Sequence, residues 1–141
     1  MHPPRLSHAL RAALLAATLS VVGCSAPKPL TCSAGQDAMT SELLYFGTTK
    51  KDGSPASEAE WQAFLREVVT PRFPDGLTVF RATGQWKTKT EILSEATYVL
   101  NVVHQGAAKN GQALVEIVAE YKKRFAQESV LRVSSPACAA F

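Results

Sequence analysis

The sequence lacks the short motifs that identify the commonest enzyme sites. It contains no G-x-S-x-G, no P-loop and no G-x-G-x-x-G, so neither a nucleophile elbow nor a glycine-rich phosphate-binding turn is expected. No stretch has EF-hand spacing, and two of the three histidines, His2 and His8, lie in a segment that we expect to be removed. The sequence therefore predicts no cofactor and no metal site.

The sequence also has little excess charge. Fifteen Lys and Arg residues stand against twelve Asp and Glu residues, and loss of Arg5 and Arg11 with a signal peptide leaves thirteen against twelve. Nucleic-acid binding requires a concentrated basic surface. The one basic run, residues 122–124, lies near the end of a predicted helix, where cations complement the helix dipole. We therefore expect no nucleic-acid partner.

The apolar run near the start of the chain is too short to span a bilayer. Arg5 and Arg11 precede this acid-free stretch, residues 12–22, an arrangement typical of an export signal. The stretch ends in Val-Val-Gly-Cys24, which resembles the lipobox of bacterial lipoproteins, where cleavage occurs before a cysteine that carries lipid.

These features predict a lipoprotein signal peptide at residues 1–23 and attachment to a membrane through lipidated Cys24. The protein would then be exported and anchored in the bacterial cell envelope, facing the periplasm. The alternative is a plain secretory signal cleaved near Ala26 or Ala34, which gives a soluble secreted or periplasmic protein.

Cysteines are scarce, and their number is informative. Once Cys24 is lipidated, only Cys32 and Cys138 remain, and an even pair in an exported chain favours a disulfide. Closing a loop of about a hundred residues stabilises a fold by roughly 4–5 kcal/mol in the chain-entropy model. Two free thiols are the alternative. Residues 24–40, which contain two prolines followed by small polar residues, are predicted to form a tether.

Residues 57–86 contain the clearest structural pattern. Ser57 and Glu60 have the spacing of a capping box, and apolar residues then recur at helical spacing from Trp61 to Val69. Pro71 ends this helix, and Pro-Asp-Gly at residues 74–76 predicts a turn into a strand at residues 77–82. Gly84 is predicted to lie in a β-bulge just beyond that strand.

The remaining apolar patterns predict three further strands and a second helix. The strands are expected near residues 43–47, 91–103 and 129–133, and the helical stripe runs from Leu114 to Phe125. The order β-α-β-β-α-β predicts an α+β, ferredoxin-like fold. It has a four-stranded antiparallel sheet in the order 4-1-3-2 with both helices on one face, and places Cys32 before strand 1 beside Cys138 after strand 4.

This arrangement leaves one face of the sheet uncovered although strands 1 and 3 are apolar on both faces. A large apolar patch rarely faces water in a monomer. A second protomer, a protein partner, the N-terminal segment or a ligand are all candidates for covering it.

Three residues are candidates for chemistry. His104 ends the third strand, although a single histidine there is also compatible with a surface role. Arg81 lies in the second strand and Glu95 in the third, with Glu91 nearby. We expect them to form cross-strand ion pairs or a polar cluster on the open face, able to bind an anion or move a proton.

Two blocks, residues 61–86 and 127–141, resemble a family of small bacterial exported proteins known only as a domain of unknown function. The most specific parts are TPRFPDGLTV at residues 70–79 and GQW at residues 84–86. The resemblance covers residues 41–141, which we take as a single α+β domain, and it implies no activity, cofactor or catalytic residue.

Two functions are compatible with these patterns. The first is an envelope protein that binds or scaffolds without chemistry of its own. The second is a small enzyme or ligand-binding protein that uses the open sheet face of a dimeric ferredoxin-like fold, which is an analogy with the fold alone. An enclosed cavity lined by Arg81, His104, Glu95 or Tyr45 would favour the second, and a flat apolar face would favour the first.

Overall fold

A computed structural model of the chain describes residues 29–141. The predicted signal peptide, Cys24 and the first part of the predicted tether lie outside the described residues. The elements follow in the order β1 (Asp37–Gly47), α1 (Glu58–Phe64), β2 (Thr78–Lys87), β3 (Ile92–His104), α2 (Ala108–Phe125) and β4 (Leu131–Ala139). A π-helical turn, Leu65–Val69, continues α1.

The sheet has the predicted strand order. Its order is β2-β3-β1-β4 and every pair is antiparallel. Both helices pack against one face, because Leu44 and Leu100 of the sheet share one core with side chains from α1 and α2. The predicted α+β, ferredoxin-like fold is therefore confirmed.

The helix-covered face is built around aromatic rings. Trp61 stacks on Tyr98 with ring centroids 4.3 Å apart, and Phe46 lies 4.5 Å from Tyr121. The Tyr121 hydroxyl donates a hydrogen bond to the Gly47 carbonyl, 2.9 Å away. Burial raises the pKa of Tyr121, so the ring stays neutral. The predicted helical stripes therefore face this core.

Helix α1 begins at the predicted capping box. The Glu60 amide donates to Ser57 Oγ at 3.3 Å, and the Ser57 amide donates to Glu60 Oε2 at 2.7 Å. Lys50 Nζ also lies 2.8 Å from Glu60 Oε1 and, with the Ser57 donors, lowers the pKa of Glu60 to about 2. These bonds fix the helix start against the loop after β1.

Strands β1 and β4 are longer than predicted. β1 begins at Asp37, so the last four residues of the predicted tether belong to the sheet. β4 continues through Ser-Ser-Pro to Ala139, whereas the prediction ended it at Val133. Pro136 is tolerated because β4 is an edge strand, where an amide that cannot donate costs no ladder bond.

The predicted bulge at Gly84 was wrong. β2 pairs with β3 without interruption, with Gly84 opposite Glu95 and Trp86 opposite Leu93. The glycine has a different role, since a Cβ there would lie 2.9 Å from Thr97 Oγ1. Close packing over Thr97 therefore explains the small residue at this position.

The predicted disulfide joins Cys32 to Cys138, with their Cα atoms 5.5 Å apart. Cys138 lies within β4, opposite Ala38 of β1, and not beyond the strand as predicted. The bond therefore ties the segment before β1 to the end of the sheet where β1 begins and β4 ends.

Candidate functional site

The uncovered side of the sheet is the most distinctive surface of the described residues. We call it the open face; it consists of alternate residues 37–47 of β1, 78–86 of β2, 93–103 of β3 and 131–139 of β4. Its two edge strands expose large apolar side chains, with Phe80 47%, Trp86 44%, Leu131 60% and Val133 42% exposed. Such a patch is typical of a binding surface.

The middle of the open face is apolar and partly covered by its own neighbours. Val99 is 1% exposed because it lies between Tyr45 of β1 and Phe80 of β2. The one polar pair there is Ser41 Oγ and Asn101 Oδ1, which are 3.2 Å apart. The centre therefore offers shape and apolar area but no ionised group.

Glu95 lies on this face, where its carboxylate has a structural partner. The Thr49 amide donates to Glu95 Oε2 at 3.1 Å. The side chain lies over Gly47, where a Cβ would come within 2.3 Å of Glu95 Oε1. A glycine at position 47 therefore leaves space for this carboxylate.

A cleft of about 780 Å³ lies at the end of the sheet where β1 and β2 begin. Its walls are the turn before β2, the turn between β3 and α2, Phe141, and open-face residues that include Met39, Asn101 and Val103. Its volume falls within the range of small-molecule sites. His104, Asn110 and Asp75 are among its polar lining residues.

His104 has an unusual environment in this cleft. Its Nδ1 lies 2.9 Å from the Gln105 carbonyl and 3.1 Å from Asn110 Nδ2. Its Nε2 is buried and has no hydrogen-bond partner among residues 29–141. Glu42 Oε1 lies 3.9 Å from Nε2. The ring is therefore oriented through Nδ1, and Nε2 faces a carboxylate just beyond hydrogen-bond distance.

That carboxylate is itself held by β4. Glu42 is 2% exposed and accepts two bonds from Arg132, at 2.8 and 2.7 Å, and a third from Ser134 Oγ at 3.0 Å. The bonds from the Arg132 guanidinium lower the pKa of Glu42 and outweigh the opposing effect of burial. Glu42 is therefore an ionised carboxylate inside the sheet–helix interface.

Arg81 belongs to a third group, on the helix-covered side. Its guanidinium binds Glu58 of α1, and Tyr98 Oη donates to the same carboxylate at 2.8 Å. The guanidinium also lies over the Tyr98 ring, 5.5 Å from its centroid. Hydrogen bonds from Gln62 and then Tyr98 lower the pKa of Glu58. The group connects α1 to the sheet beside a smaller cleft of about 240 Å³.

The three predicted candidates are not brought together. Arg81 pairs in register with Tyr98, and Glu95 with Gly84, so Arg81 and Glu95 point to opposite faces. The expected cross-strand pairing with Glu91 or Glu95 was wrong, since Arg81 binds Glu58. His104 is nine residues from Glu95 along β3, or about 30 Å.

The sequence prediction missed Glu42 and its partners. The sequence does contain an indication of Glu42. Glu42 is two residues from the buried Leu44 on β1, so both side chains point to the same face, and a buried acid needs a partner. The partner itself, Arg132, lies ninety residues further along the chain.

Between residues 29 and 141, no group of three or more His, Cys, Asp or Glu side chains lies close enough together to hold a metal ion. Neither helix in that range is long and apolar enough to cross a bilayer.

A family model described as a protein of unknown function, DUF3574, matches residues 41–141. The chain belongs to the DUF3574 family. The DUF3574 match begins inside β1 and has the limits expected from the sequence resemblance, which is thereby confirmed. No curated protein matches the sequence.

Solved structures share the fold of this DUF3574 protein at low identity. A phage SAM lyase in complex with S-methyl-5'-thioadenosine superposes with a TM-score of 0.53 at 10% identity, over 82% of this chain and 97% of that chain. Its apo state gives a TM-score of 0.53 at 10% identity, over 81% and 97%. The periplasmic divalent cation tolerance protein CutA from Archaeoglobus fulgidus has a TM-score of 0.47 at 9% identity, over 70% and 83%. The lyase likeness shows the fold alone.

Proposed function

We propose that this protein is a lipid-anchored, non-catalytic binding module of the bacterial cell envelope. Cys24 attaches it to the membrane, the domain faces the periplasm, and the open face is its binding surface. The occupant of that face is a second copy of the same chain.

The exposed apolar side chains of the open face carry this proposal. Phe80 and Leu131 stand on opposite edges of the sheet, are 47% and 60% exposed, and flank an apolar centre. Leu43, Tyr45 and Val99 of that centre line neither of the two clefts. The centre of the face therefore favours a broad partner over a small enclosed ligand.

Charge supports a second copy as that partner. Within the described sheet, Asp37 and Glu95 are the only open-face residues that are charged at neutral pH. Asp37 is the first residue of β1, and Glu95 of β3 lies over Gly47 at the other end of β1. Two identical faces therefore meet without a central cluster of like charges. A two-fold dimer requires a face that tolerates a copy of itself, and an uncharged centre meets that requirement.

Area also supports self-association. Four strands about 4.8 Å apart, paired over about nine residues, present a face of roughly 19 by 30 Å. Two copies would bury about 1,100 Å² in total, close to the lower limit of about 1,000 Å² for a specific interface. The expected dimer is therefore small, and lipid anchoring would favour it by confining both copies to one surface.

Two sequence features support export and anchoring. The basic residues, apolar run and cysteine at residues 5–24 occur in the order of a lipoprotein signal. The disulfide between Cys32 and Cys138 is of the kind that persists in the periplasm and outside the cell.

The oligomeric state of the full chain in density-matched detergent tests the proposal. Sedimentation velocity is expected to give a dimer for the wild type and a monomer for Val133→Glu, which places a charge in the open face. Val115→Glu is the matched control, because Val115 is 57% exposed on α2, away from that face. A monomeric wild type, or a Val133→Glu variant that still dimerises, would contradict the proposed interface.

The cleft beside His104 favours a second candidate function, the binding of a small ligand. Its volume is suitable, and His104, Asn110 and Asp75 are among its polar lining residues. A melting screen with small carboxylates, amides and nucleosides tests it. A ligand that raises the Tm of the wild type but not of His104→Phe would support this second function.

A further inference from the structure

The anchor and the disulfide together restrict how the domain meets the membrane. Assuming the proposed lipid on Cys24, seven residues separate it from Cys32. Whatever their conformation, eight Cα–Cα steps span at most about 29 Å. The inference below therefore rests on the proposed anchoring.

The disulfide fixes where this short connection meets the fold. Cys32 is bonded to Cys138, and Cys138 lies opposite Ala38 near the start of β1. The connection therefore joins the domain at one end of the sheet. Its point of attachment cannot shift along the strands while the disulfide is intact.

Two segments at that end of the sheet carry no charged side chain. We call them together the uncharged end; they are residues 29–36 and residues 133–141. Lys28 and Asp37 border the first segment and Arg132 precedes the second, and Asp37, Asp75 and Lys109 line the neighbouring cleft together with Phe141. Leu30 is 42% exposed and Phe141 is 99% exposed, so each segment also presents a large apolar side chain.

We propose that the uncharged end lies on the lipid surface, with Leu30 and Phe141 at the bilayer interface. Apolar side chains gain free energy there, and the two segments themselves bring no charged side chain toward the acyl region. The strands then run away from the membrane, and the plane of the open face is perpendicular to the bilayer. Two anchored copies can therefore bring their open faces together by diffusing in the membrane plane.

The opposite end of the sheet provides an internal reference. The distance along the sheet from the disulfide to Trp86 can be counted in residues. It is nine residues along β1 from Ala38 to Gly47, which pairs with Thr97 of β3. It is four more along β3 from Thr97 to Leu93, which pairs with Trp86. At about 3.3 Å per residue, Trp86 lies about 43 Å beyond the level of the disulfide. This exceeds the reach of the connection, so Trp86 touches lipid only if the strands tilt strongly toward the membrane plane.

Fluorescence quenching by brominated phospholipids in vesicles tests this orientation with the lipidated full chain. In a Trp86→Phe background, Phe141→Trp places an indole at the uncharged end. Ile92→Trp is the matched control, because Ile92 is 63% exposed at the far end of the sheet. Trp61 is 1% exposed and contributes the same background to both. We expect about threefold stronger quenching for Phe141→Trp than for Ile92→Trp.

Each other outcome overturns the inference in a distinguishable way. Strong quenching of Trp86 in the wild type would mean that the strands tilt strongly toward the membrane plane. Equal, weak quenching of both introduced indoles on a protein that floats with the vesicles would mean that the domain stands away from the bilayer, with the anchor intact. If Cys24→Ala also floats with membranes, the anchor is wrong and the orientation is wrong with it.

Discussion

The two faces of this sheet have similar compositions and different surroundings. On the covered face, Leu44, Phe46 and Leu100 are fully buried under two helices. On the open face, Phe80 and Leu131 are equally apolar and about half exposed. This difference shows that the apolar side chains of the covered face are explained by the stability that their burial gives to one chain. The apolar character of the open face has no such explanation within the described residues, and the proposed second copy would supply one.

The largest expected effect comes from breaking the covered face. Trp61→Ala removes an indole that is 1% exposed and stacked on Tyr98, and should reduce the free energy of unfolding by about 3–5 kcal/mol. Urea denaturation of the full chain measures it. A loss below about 1 kcal/mol would mean that α1 is not packed as described.

The second-largest effect on stability is expected from a polar contact on the covered face. Arg132→Ala leaves the Glu42 carboxylate buried without its bidentate partner and should cost about 3 kcal/mol. The matched control is Arg66→Ala, since Arg66 is 71% exposed and 4.0 Å from Glu67, and should cost less than about 0.5 kcal/mol. Similar losses in the two variants would argue against a buried Glu42–Arg132 pair.

The charge of Glu42 should make this contribution depend on pH. Arg132 holds the pKa of Glu42 below its ordinary value of 4.5, so the folded state favours the ionised form and the stabilisation is complete above that value. It is lost as the pH falls through the lowered pKa. Wild type should therefore exceed Glu42→Gln by about 2 kcal/mol at pH 7, and the difference should shrink below about pH 4. A difference that is constant from pH 7 to pH 3 would contradict this account.

The open face should show the smallest effect on the folded monomer. Phe80→Ser removes a ring that is 47% exposed, so the free energy of unfolding at low protein concentration should change by less than about 1 kcal/mol. Association should weaken by about tenfold or more. The Tm of the wild type should rise with protein concentration, whereas that of Phe80→Ser should not. If the Tm of both the wild type and Phe80→Ser rose with protein concentration, the contact between copies would lie outside the open face.

Local patterns were sufficient to predict the fold. Ser57 and Glu60 identify a helix start within four residues, and the alternation of elements then determines strand order and the proximity of Cys32 to Cys138. The end of β4 was missed because Ser-Ser-Pro at residues 134–136 has the composition of a loop, and only pairing with β1 makes it a strand.

The polar contacts were much less predictable. Glu58 binds Arg81 and Tyr98, 23 and 40 residues away, and Glu42 binds Arg132 across ninety. No periodicity connects such partners, because each pairing depends on strand register and helix position. Arg81 was therefore assigned to the wrong acid, and His104 was recognised without the carboxylate beside it.

Site-specific photo-cross-linking in cells tests the central claim most directly. A photoreactive residue at Phe80 should produce a cross-linked species of twice the protomer mass, and one at Val115 should produce none, because Val115 is exposed on the helical side. The claim that the open face is covered by a second copy would be contradicted if Phe80 cross-linked only to a different protein, or no more than Val115 did.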